Sequence, residues 1–282
     1  MQATDFLRIL GTVDAVLAEA GNSGLPESLT YNSHIHLPPN FSAFETVEQA
    51  VEIAAGEGVQ VLGCGNYYDY SVYRGFAETA RDQGVFPLFG TEIIALETDL
   101  QEQGIRVNDP GNPGKYYICG KGISRFEELS PRADQLLSGI RTNDTLRMRE
   151  MTEKMAGVFS DHGIDTGLDD KAVIQRVVKR HGCSVDMVTL QERHLAQAFQ
   201  EVFFERVPVD QRMKKLADLF GDSPPSTSSD AVGIQNEIRS HLMKAGKVCF
   251  VPETFVNLAQ AKELIVELGG IPCYPVLADG SK

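Results

Sequence analysis

The sequence lacks a long hydrophobic run, a secretory signal and a paired-cysteine motif. No apolar stretch approaches the roughly 20 residues that span a bilayer, which argues against a membrane partner. The first 19 residues carry three acidic side chains and have no basic start followed by an apolar run. The five cysteines have no CxxC spacing, which favours reduced thiols. Together these absences predict a cytoplasmic protein.

Positive charge is scarce as well. The chain has 26 lysines and arginines against 39 aspartates and glutamates, so its formal net charge is -13. A surface of this sign repels a phosphate backbone, and a nucleic-acid duplex is therefore disfavoured as a partner. A small phosphorylated substrate remains compatible with the composition, because bound cations would reverse the sign of the charge locally.

An alternation of short apolar strands and helices begins near residue 29. The pattern predicts strands over 29–36, 59–64 and 85–96, with helices over 46–56 and 70–83 between them. Strands and helices that alternate at this pace are typical of a parallel sheet or barrel. A length of 282 residues is sufficient for one barrel domain.

The same patterns predict the domain organisation. We expect an N-terminal helix and linker over 1–28, followed by a barrel-type domain over 29–282. Within that domain, a mainly helical insertion is predicted over about 125–245. A strand at 248–251 is then expected, followed by a helix and a last strand at 271–277. The chain stops just after this strand, so we expect either a fragment or an incomplete barrel.

His34 and His36 provide the strongest local signal for chemistry. They lie at the end of the first predicted strand, where residues i and i+2 point to the same side, so both imidazoles can reach one metal ion. Zinc, manganese and iron all accept imidazole nitrogen, and barrel enzymes build their sites at the carboxyl ends of strands. The simpler alternative is a pair of surface histidines before a proline-rich turn. The strand context favours metal binding over that alternative.

Three further residues are candidates, each with a plain structural alternative. Glu92 lies within an apolar run, where a carboxylate is costly unless it is paired or bound to metal; it would equally mark the exit of the strand to solvent. His194 begins a predicted helix, where a solvated histidine is the simpler interpretation. Asp69 follows the second strand and is a candidate base, although a helix N-cap near Ser71 is as good an interpretation.

Five short motifs occur in an order that resembles the PHP (polymerase and histidinol phosphatase) family of phosphoesterases. They are HIH at 34–36, GTE at 90–92, YICG at 117–120, RHLA at 193–196 and GGIPCYP at 269–275. The resemblance covers nearly the whole chain after residue 31. It implies an α/β fold, namely a distorted (β/α)7 TIM-like PHP barrel, and metal-dependent hydrolysis of a small phosphate ester through a metal-activated water.

The chain departs from the family at several metal ligands. Asn66 and Tyr67 stand where the family has aspartate and histidine, and Tyr117 and Tyr274 stand where it has two further histidines. The family's closing Asp-x-His motif is not found. The resemblance therefore implies fewer metal ions than the usual family site.

The resemblance also assigns expected roles to the candidate residues. His34, His36 and Glu92 would make most of one site for a divalent metal, namely zinc, manganese or iron. Glu92 and His194 would help to hold a second ion, and the third position is lost. Tyrosine and asparagine can hydrogen-bond a phosphate or sugar oxygen, so the replaced positions become substrate contacts. The residues predicted to contact substrate are Asn66, Tyr67, Tyr117 and Tyr274.

Two functions of different classes follow from these residues. The first is a metal-dependent phosphoesterase that acts on a small phosphorylated molecule, with Asp69 as the candidate base. The second is a non-catalytic PHP-like binding module that has lost most of its metal ligands. The retained histidines and Glu92 favour the enzyme, because such a set is costly to keep by accident of packing. The lost aspartate and histidines favour the module.

Overall fold

The computed structural model describes residues 2–23, 28–109 and 111–276. The chain divides into two compact units. The first unit combines Met1–Ser138 with Val256–Lys282, and the second is Gly139–Phe255. The sequence predicted a mainly helical insertion over about 125–245. The second unit is continuous in sequence, whereas the first is built from both ends of the chain.

The first unit opens with two helices where the sequence predicted one. Helix α1 (Asp5–Ile9) and helix α2 (Val13–Ser23) are separated at Gly11. The backbone of Gly11 has a φ of 80°, a left-handed conformation that glycine adopts at little cost. The continuous apolar periodicity is therefore interrupted by one backbone turn.

A parallel sheet follows, as the βαβ alternation predicts. Its strands are β1 (Tyr31–Ile35), β2 (Val61–Cys64) and β3 (Phe86–Leu88), hydrogen-bonded in that order. The two connections are helix α3 (Val47–Gly56) and helix α4 (Tyr73–Asp82). Parallel strands need such crossovers, since a tight turn can join only antiparallel neighbours. The carboxyl ends of the three strands therefore lie at one edge of this sheet.

A second, antiparallel sheet is not what the sequence predicted. Its strands are β4 (Gly90–Leu96), β5 (Lys115–Lys121) and β6 (Ile271–Cys273), in that order. Helix α5 (Thr98–Glu102) follows β4. Hydrogen bonding between the described strands gives these two three-stranded sheets and no closed barrel.

Gly90 marks the point where the predicted strand at 85–96 divides between the two sheets. A Cβ atom at this position would lie 2.5 Å from the carbonyl oxygen of Cys64 and 2.8 Å from that of Gly120. Only glycine allows backbones to approach so closely. The strand therefore leaves the parallel sheet as β3 and enters the antiparallel sheet as β4.

Aromatic side chains form much of the core of the first unit. Tyr73 stacks on Phe89 with ring centroids 5.6 Å apart, and Phe126 packs edge-on against both rings. The hydroxyl of Tyr73 donates to the carbonyl of Gly90 and accepts from the amide of Asn66. The core thereby ties the loop after β2 to the start of β4, which places the two segments side by side.

The second unit is helical. Helix α6 (Pro131–Asp161) leads into it, and α7 (Asp170–His181), α8 (Glu192–Arg206), α9 (Arg212–Phe220) and α10 (Ala231–Ile238) follow. A short π-helical turn extends α10. The fully buried core includes Met151, Phe159, Val173, Phe199 and Phe203.

The predicted strand at 248–251 is wrong. The chain is irregular there, and Cys249 and Val251 pack into the helical core of the second unit. A short apolar run is equally suited to a strand and to a buried loop, so periodicity does not distinguish them. Helix α11 (Leu258–Glu267) then returns the chain to the first unit, where the sequence predicted a helix.

A buried group of charges lies within the second unit. The carboxylate of Glu192 is 2.7 Å from Arg147, 3.0 Å from Lys244 and 3.7 Å from Arg239. Only 5% of the Arg147 side chain is exposed. Burial by itself raises the pKa of the Glu192 carboxyl, but Lys244 and Arg147 outweigh it and lower the pKa to about 2. Glu192 is therefore ionised and neutralises a buried arginine.

All five cysteines are free thiols, as their spacing predicts. Among the described residues, no helix is both long enough and apolar enough to cross a membrane.

Candidate metal centre

His34 and His36 lie at the carboxyl end of β1. Their Nε2 atoms are 3.3 Å apart, and the two rings meet nearly at right angles. Residues i and i+2 of a strand share a side, which is why both rings point the same way. The simpler alternative, two separate surface histidines, does not fit this arrangement, because the two Nε2 atoms are in contact.

Glu92, from the other sheet, completes the cluster. Its Oε2 atom lies 2.8 Å from the Nε2 atom of His34 and 3.0 Å from that of His36. The residue is only 8% exposed, so it does not mark an exit to solvent. Burial by itself raises the pKa of the Glu92 carboxyl, but the hydrogen bonds from the two imidazoles lower it to about 2. The cluster therefore holds a buried, ionised carboxylate against two imidazoles.

The donor atoms of this cluster fit a divalent metal. The potential ligand atoms of His34, His36 and Glu92 all lie within 4.8 Å of one another. Metal–ligand bonds of about 2.0–2.2 Å place neighbouring ligand atoms of a tetrahedral zinc site roughly 3.3 Å apart. The distances of 2.8–3.3 Å between the donor atoms here are close to that value. Three protein ligands with one position open to water are typical of catalytic zinc sites.

Tyr67 holds the carboxylate from the opposite side. Its hydroxyl donates to the Oε1 atom of Glu92 at 2.8 Å, and its ring stacks on His36 with centroids 4.9 Å apart. Burial raises the pKa of the Tyr67 hydroxyl well above its usual value, and the charge of Glu92 raises it further. The hydroxyl therefore stays protonated and leaves the Oε2 atom of Glu92 facing the histidines.

The backbone at Tyr68 is held in the left-handed region, with a φ of 52°. For a bulky residue this conformation costs about 1–2 kcal/mol. The turn directs Tyr67 toward Glu92 and buries Tyr68, whose hydroxyl accepts from the amide of Ile94. Backbone strain of this kind clusters at functional sites. The left-handed turn at Tyr68 therefore places Tyr67 against the cluster.

The outer nitrogens of the two imidazoles differ in their surroundings. The Nδ1 atom of His34 is 3.1 Å from the Nζ atom of Lys121 and 3.7 Å from the Sγ atom of Cys119. Lys121 also donates to the carbonyl of Ser33 at 2.5 Å. The Nδ1 atom of His36 is buried and has no hydrogen-bond partner among the described residues. Lys121 thus fixes the outer side of the His34 ring, whereas the His36 ring is held by its Nε2 contact with Glu92 and by stacking on Tyr67.

Gly65 makes room for the ring of His34. A Cβ atom at Gly65 would lie 2.7 Å from the Cε1 atom and 2.9 Å from the Nδ1 atom of His34. Real Cβ atoms do not approach so closely, so an alanine would push the ring out of place.

We expect Gly65→Ala to lower the affinity for zinc about tenfold or more, because small displacements of ligands are costly at preorganised sites. Affinity is measured by competition with a chromophoric chelator, and folding by circular dichroism. Gly75→Ala is the matched control, since a Cβ atom at this position in helix α4 meets nothing within 4 Å. Equal affinities of the two variants would contradict the positional role of Gly65.

Asn66 and Asp69 follow β2 and hydrogen-bond other parts of the chain. The Asn66 side chain accepts from the amide of Leu37 at 2.7 Å and donates to its carbonyl at 3.0 Å, fully buried. The Asp69 carboxylate accepts from the amide and the hydroxyl of Ser71. The geometry therefore favours backbone support over the predicted substrate contact for Asn66. Asp69 closes a turn ahead of α4, whose N-cap residue is Val72, so the alternative of a helix N-cap is wrong and the predicted role as a base stays a prediction.

The two remaining tyrosines lie in different segments, Tyr117 on β5 and Tyr274 just after β6. Tyr117 shares a face with Cys119, which pairs with Glu92 across the ladder, and it is close enough to Tyr67 to raise the pKa of that hydroxyl. Tyr274 is 53% exposed and lies near Tyr116, whose side chain is on the other face of β5. The substrate contact predicted for Tyr117 is thus compatible with its placement beside the cluster, whereas Tyr274 is turned toward a different surface.

His194 belongs to the second unit and acts there as a cap. Its Nδ1 atom accepts from the amide of Gln191, and the Gln191 side chain accepts in return at the start of α8. It is buried and not solvated. Its predicted part in binding a second metal stays a prediction.

Sequence reasoning missed Lys121 and the role of Gly65. The motif at 117–120 ends one residue before Lys121. Alternation along a strand nevertheless places residues 117, 119 and 121 on one face. That signal, together with the pairing of Glu92 and Cys119, would have brought Lys121 to the same side as the cluster.

Comparisons with known proteins identify the fold. No protein-family model matches the chain, and no curated protein sequence matches it. The structure is similar to that of an amidohydrolase from Chromobacterium violaceum solved with bound sulfate and no metal. That match has a TM-score of 0.55 and 16% sequence identity, and it covers 87% of this chain and 66% of the other.

A second solved structure is similar to the same extent. It is a protein from Bifidobacterium adolescentis that is designated a metal-dependent phosphoesterase, with a TM-score of 0.56 and 16% identity over 88% of this chain and 67% of the other. The chain thus spans about two thirds of the length of each of these proteins. At this identity the likeness shows the fold, a mixed α/β architecture similar to structures of metal-dependent hydrolases.

Proposed function

We propose that the protein is a metal-dependent hydrolase of the PHP type that acts on a small phosphate ester. The observation that carries this proposal is the convergence of His34, His36 and Glu92 on one point, with their nearest donor atoms 2.8–3.3 Å apart. A buried carboxylate from one sheet meets two imidazoles from the other sheet. Burying such a carboxylate costs free energy, so packing alone does not explain the arrangement. Carboxylates and imidazoles are the donor types that zinc, manganese and iron accept.

Each residue of the cluster has a definite task in this proposal. His34, His36 and the Oε2 atom of Glu92 would hold the metal, which when bound supplies a Lewis acid and a water of lowered pKa. Tyr67 keeps the Oε1 atom of Glu92 occupied, so the carboxylate presents a single oxygen. Tyr117 lies on the same face of β5 as Cys119, which pairs with Glu92, and it would donate a hydrogen bond to a substrate oxygen.

The substrate class follows from charge and from the fold. A chain with a net charge of -13 repels long polyanions, and a local metal cation would offset the charge of one small phosphate ester. The similar structure designated a metal-dependent phosphoesterase supports this choice, and so does the order of PHP-like motifs. The proposed fold is a PHP-type barrel, and the two three-stranded sheets would be parts of it.

The test combines metal content with turnover. The chain is purified without chelators, supplied with zinc, manganese or iron, and its bound metal is measured by elemental analysis. Hydrolysis of p-nitrophenyl phosphate and of a panel of small phosphate monoesters is then followed. We expect metal and turnover to fall together in His36→Gln and to persist in His162→Gln, a histidine of the second unit. Bound metal without hydrolysis across the panel would contradict the substrate class.

A non-catalytic binding module is the second candidate. The observation that favours it is that His34, His36, Tyr67 and Glu92 already hydrogen-bond one another, so the carboxylate is satisfied without a metal. A folded protein that retains no metal after reconstitution would favour this candidate over the enzyme.

A further inference from the structure

Lys121 lies behind the ring of His34, on the side away from Glu92. Its Nζ atom is 3.1 Å from the Nδ1 atom of His34 and 2.5 Å from the carbonyl oxygen of Ser33. An ammonium group carries three donors and no acceptor. The Nδ1 atom of His34 must therefore accept the hydrogen bond from Lys121.

This contact determines where the proton of His34 lies. A neutral imidazole has one donating and one accepting nitrogen, and an imidazolium has two donors. Because the Nδ1 atom accepts, the ring proton is on the Nε2 atom. That proton points at the Oε2 atom of Glu92, 2.8 Å away.

A metal at the same place needs the opposite tautomer. Binding through the Nε2 atom requires a lone pair there, so the ring proton has to move to the Nδ1 atom. Histidines that bind metals almost always donate this outer N–H to a carboxylate, a carbonyl or water. Lys121 cannot accept it, and the Sγ atom of Cys119, 3.7 Å from the Nδ1 atom of His34, is only a weak acceptor. The Nδ1 atom of His36 is buried without a partner among the described residues. The inner donor atoms thus suit a metal, whereas the outer contacts do not.

We propose that Lys121 is a positioning residue that holds His34 in the tautomer protonated at the Nε2 atom, and that it thereby lowers the metal affinity of the cluster. This inference rests on the proposed function, in that it takes the cluster to be a metal site. Metal binding then requires Lys121 to leave the Nδ1 atom, and the hydrogen bond that it already donates to the carbonyl of Ser33 can remain. Lys121 therefore lowers the affinity of the cluster for metal.

The affinity test uses Zn²⁺ as the probe, in competition with a chromophoric chelator. Lys121→Gln removes the donor and supplies an oxygen that accepts from the Nδ1 atom, so we expect affinity to rise about 10–100-fold, the range known for such outer partners. Lys121→Met removes the donor without supplying an acceptor, and we expect a smaller rise. Lys262→Gln, an exposed lysine on helix α11, is the matched control and should leave affinity unchanged. Unchanged or lowered affinity in Lys121→Gln would overturn the proposal.

The tautomer is tested directly on the metal-free wild-type protein. Long-range ¹H–¹⁵N spectra distinguish the two neutral tautomers and the doubly protonated ring, and the His34 signals are those that disappear in His34→Gln. We expect the proton on the Nε2 atom. A proton on the Nδ1 atom, or on both, overturns the proposal whatever the variants do. Because this measurement needs no metal and no turnover, a correct tautomer without phosphoesterase activity would count against the proposed function and not against the role of Lys121.

Discussion

Replacing Glu92 by glutamine is expected to lower the affinity for divalent metal about 100-fold or more, because loss of a ligand should exceed the 10–100-fold cost of losing an outer partner. Glutamine keeps the size of the side chain but offers a neutral oxygen, and its amide would place a donor near the Nε2 atoms of the two histidines. Elemental analysis and chelator competition measure the change.

The control for this substitution is Glu52→Gln, an exposed acid on helix α3. It removes the same charge from the same unit and should leave metal affinity unchanged. A Glu92→Gln protein that binds metal within about twofold of the wild type would mean that the metal lies elsewhere. The proposed function would then lose the observation on which it depends.

The second large effect concerns stability. We expect Glu192→Ala to destabilise the second unit by about 3–5 kcal/mol, because it leaves the buried guanidinium of Arg147 without its close partner. The other carboxylate near this guanidinium, Glu253, is 3.9 Å away. Urea unfolding followed by circular dichroism measures the loss, and a separate transition for each unit would show it most directly.

An ion pair at the surface of the same unit provides the comparison. Glu205 lies 3.0 Å from Arg176, but its side chain is 55% exposed, so Glu205→Ala should cost no more than about 1 kcal/mol. Equal losses in the two variants would show that burial of Arg147 does not govern the effect.

The same carboxylate makes the stability depend on pH. The pKa of Glu192 is lowered from 4.5 to about 2 in the folded protein. A carboxyl whose pKa is lower in the folded state stabilises that state. This stabilisation is fully present above the pKa of the unfolded chain, and it is lost as the pH falls from about 4.5 toward 2. We expect the urea midpoint of the wild type to fall over this range more steeply than that of Glu192→Gln. Parallel profiles would contradict the assignment.

Local patterns predicted much of the first half of the chain. The βαβ alternation from β1 to β3 depends on periodicity within short segments, and the structure confirms it. The same periodicity failed at 248–251, where an apolar run packs as an irregular segment against helices. An apolar run of this length can form a strand or an irregular buried segment, and only the parts of the chain that pack against it decide which of the two forms.

The sequence also indicates some features of the candidate site and leaves others open. The pairing of His34 and His36 follows from alternation within one strand, so the sequence alone indicates it. The apolar surroundings of Glu92 left burial and an exit to solvent equally open, and only the resemblance to the PHP family indicated the two histidines as its partners. The side chain of Asn66 could not be assigned from the sequence, because its hydrogen bonds go to the backbone of Leu37 in a distant segment.

By itself, the sequence determined the strand that carries the two histidines and the helices that flank it, and its order of motifs indicated that Glu92 joins those histidines. Only the tertiary structure decided that Glu92 meets those histidines from a second, antiparallel sheet, that Gly65 admits the ring of His34, and that Lys121 lies behind it. The reason is physical. Periodicity records the burial of a residue, whereas the hydrogen bonds of a cluster are set by segments that come together only when the chain packs.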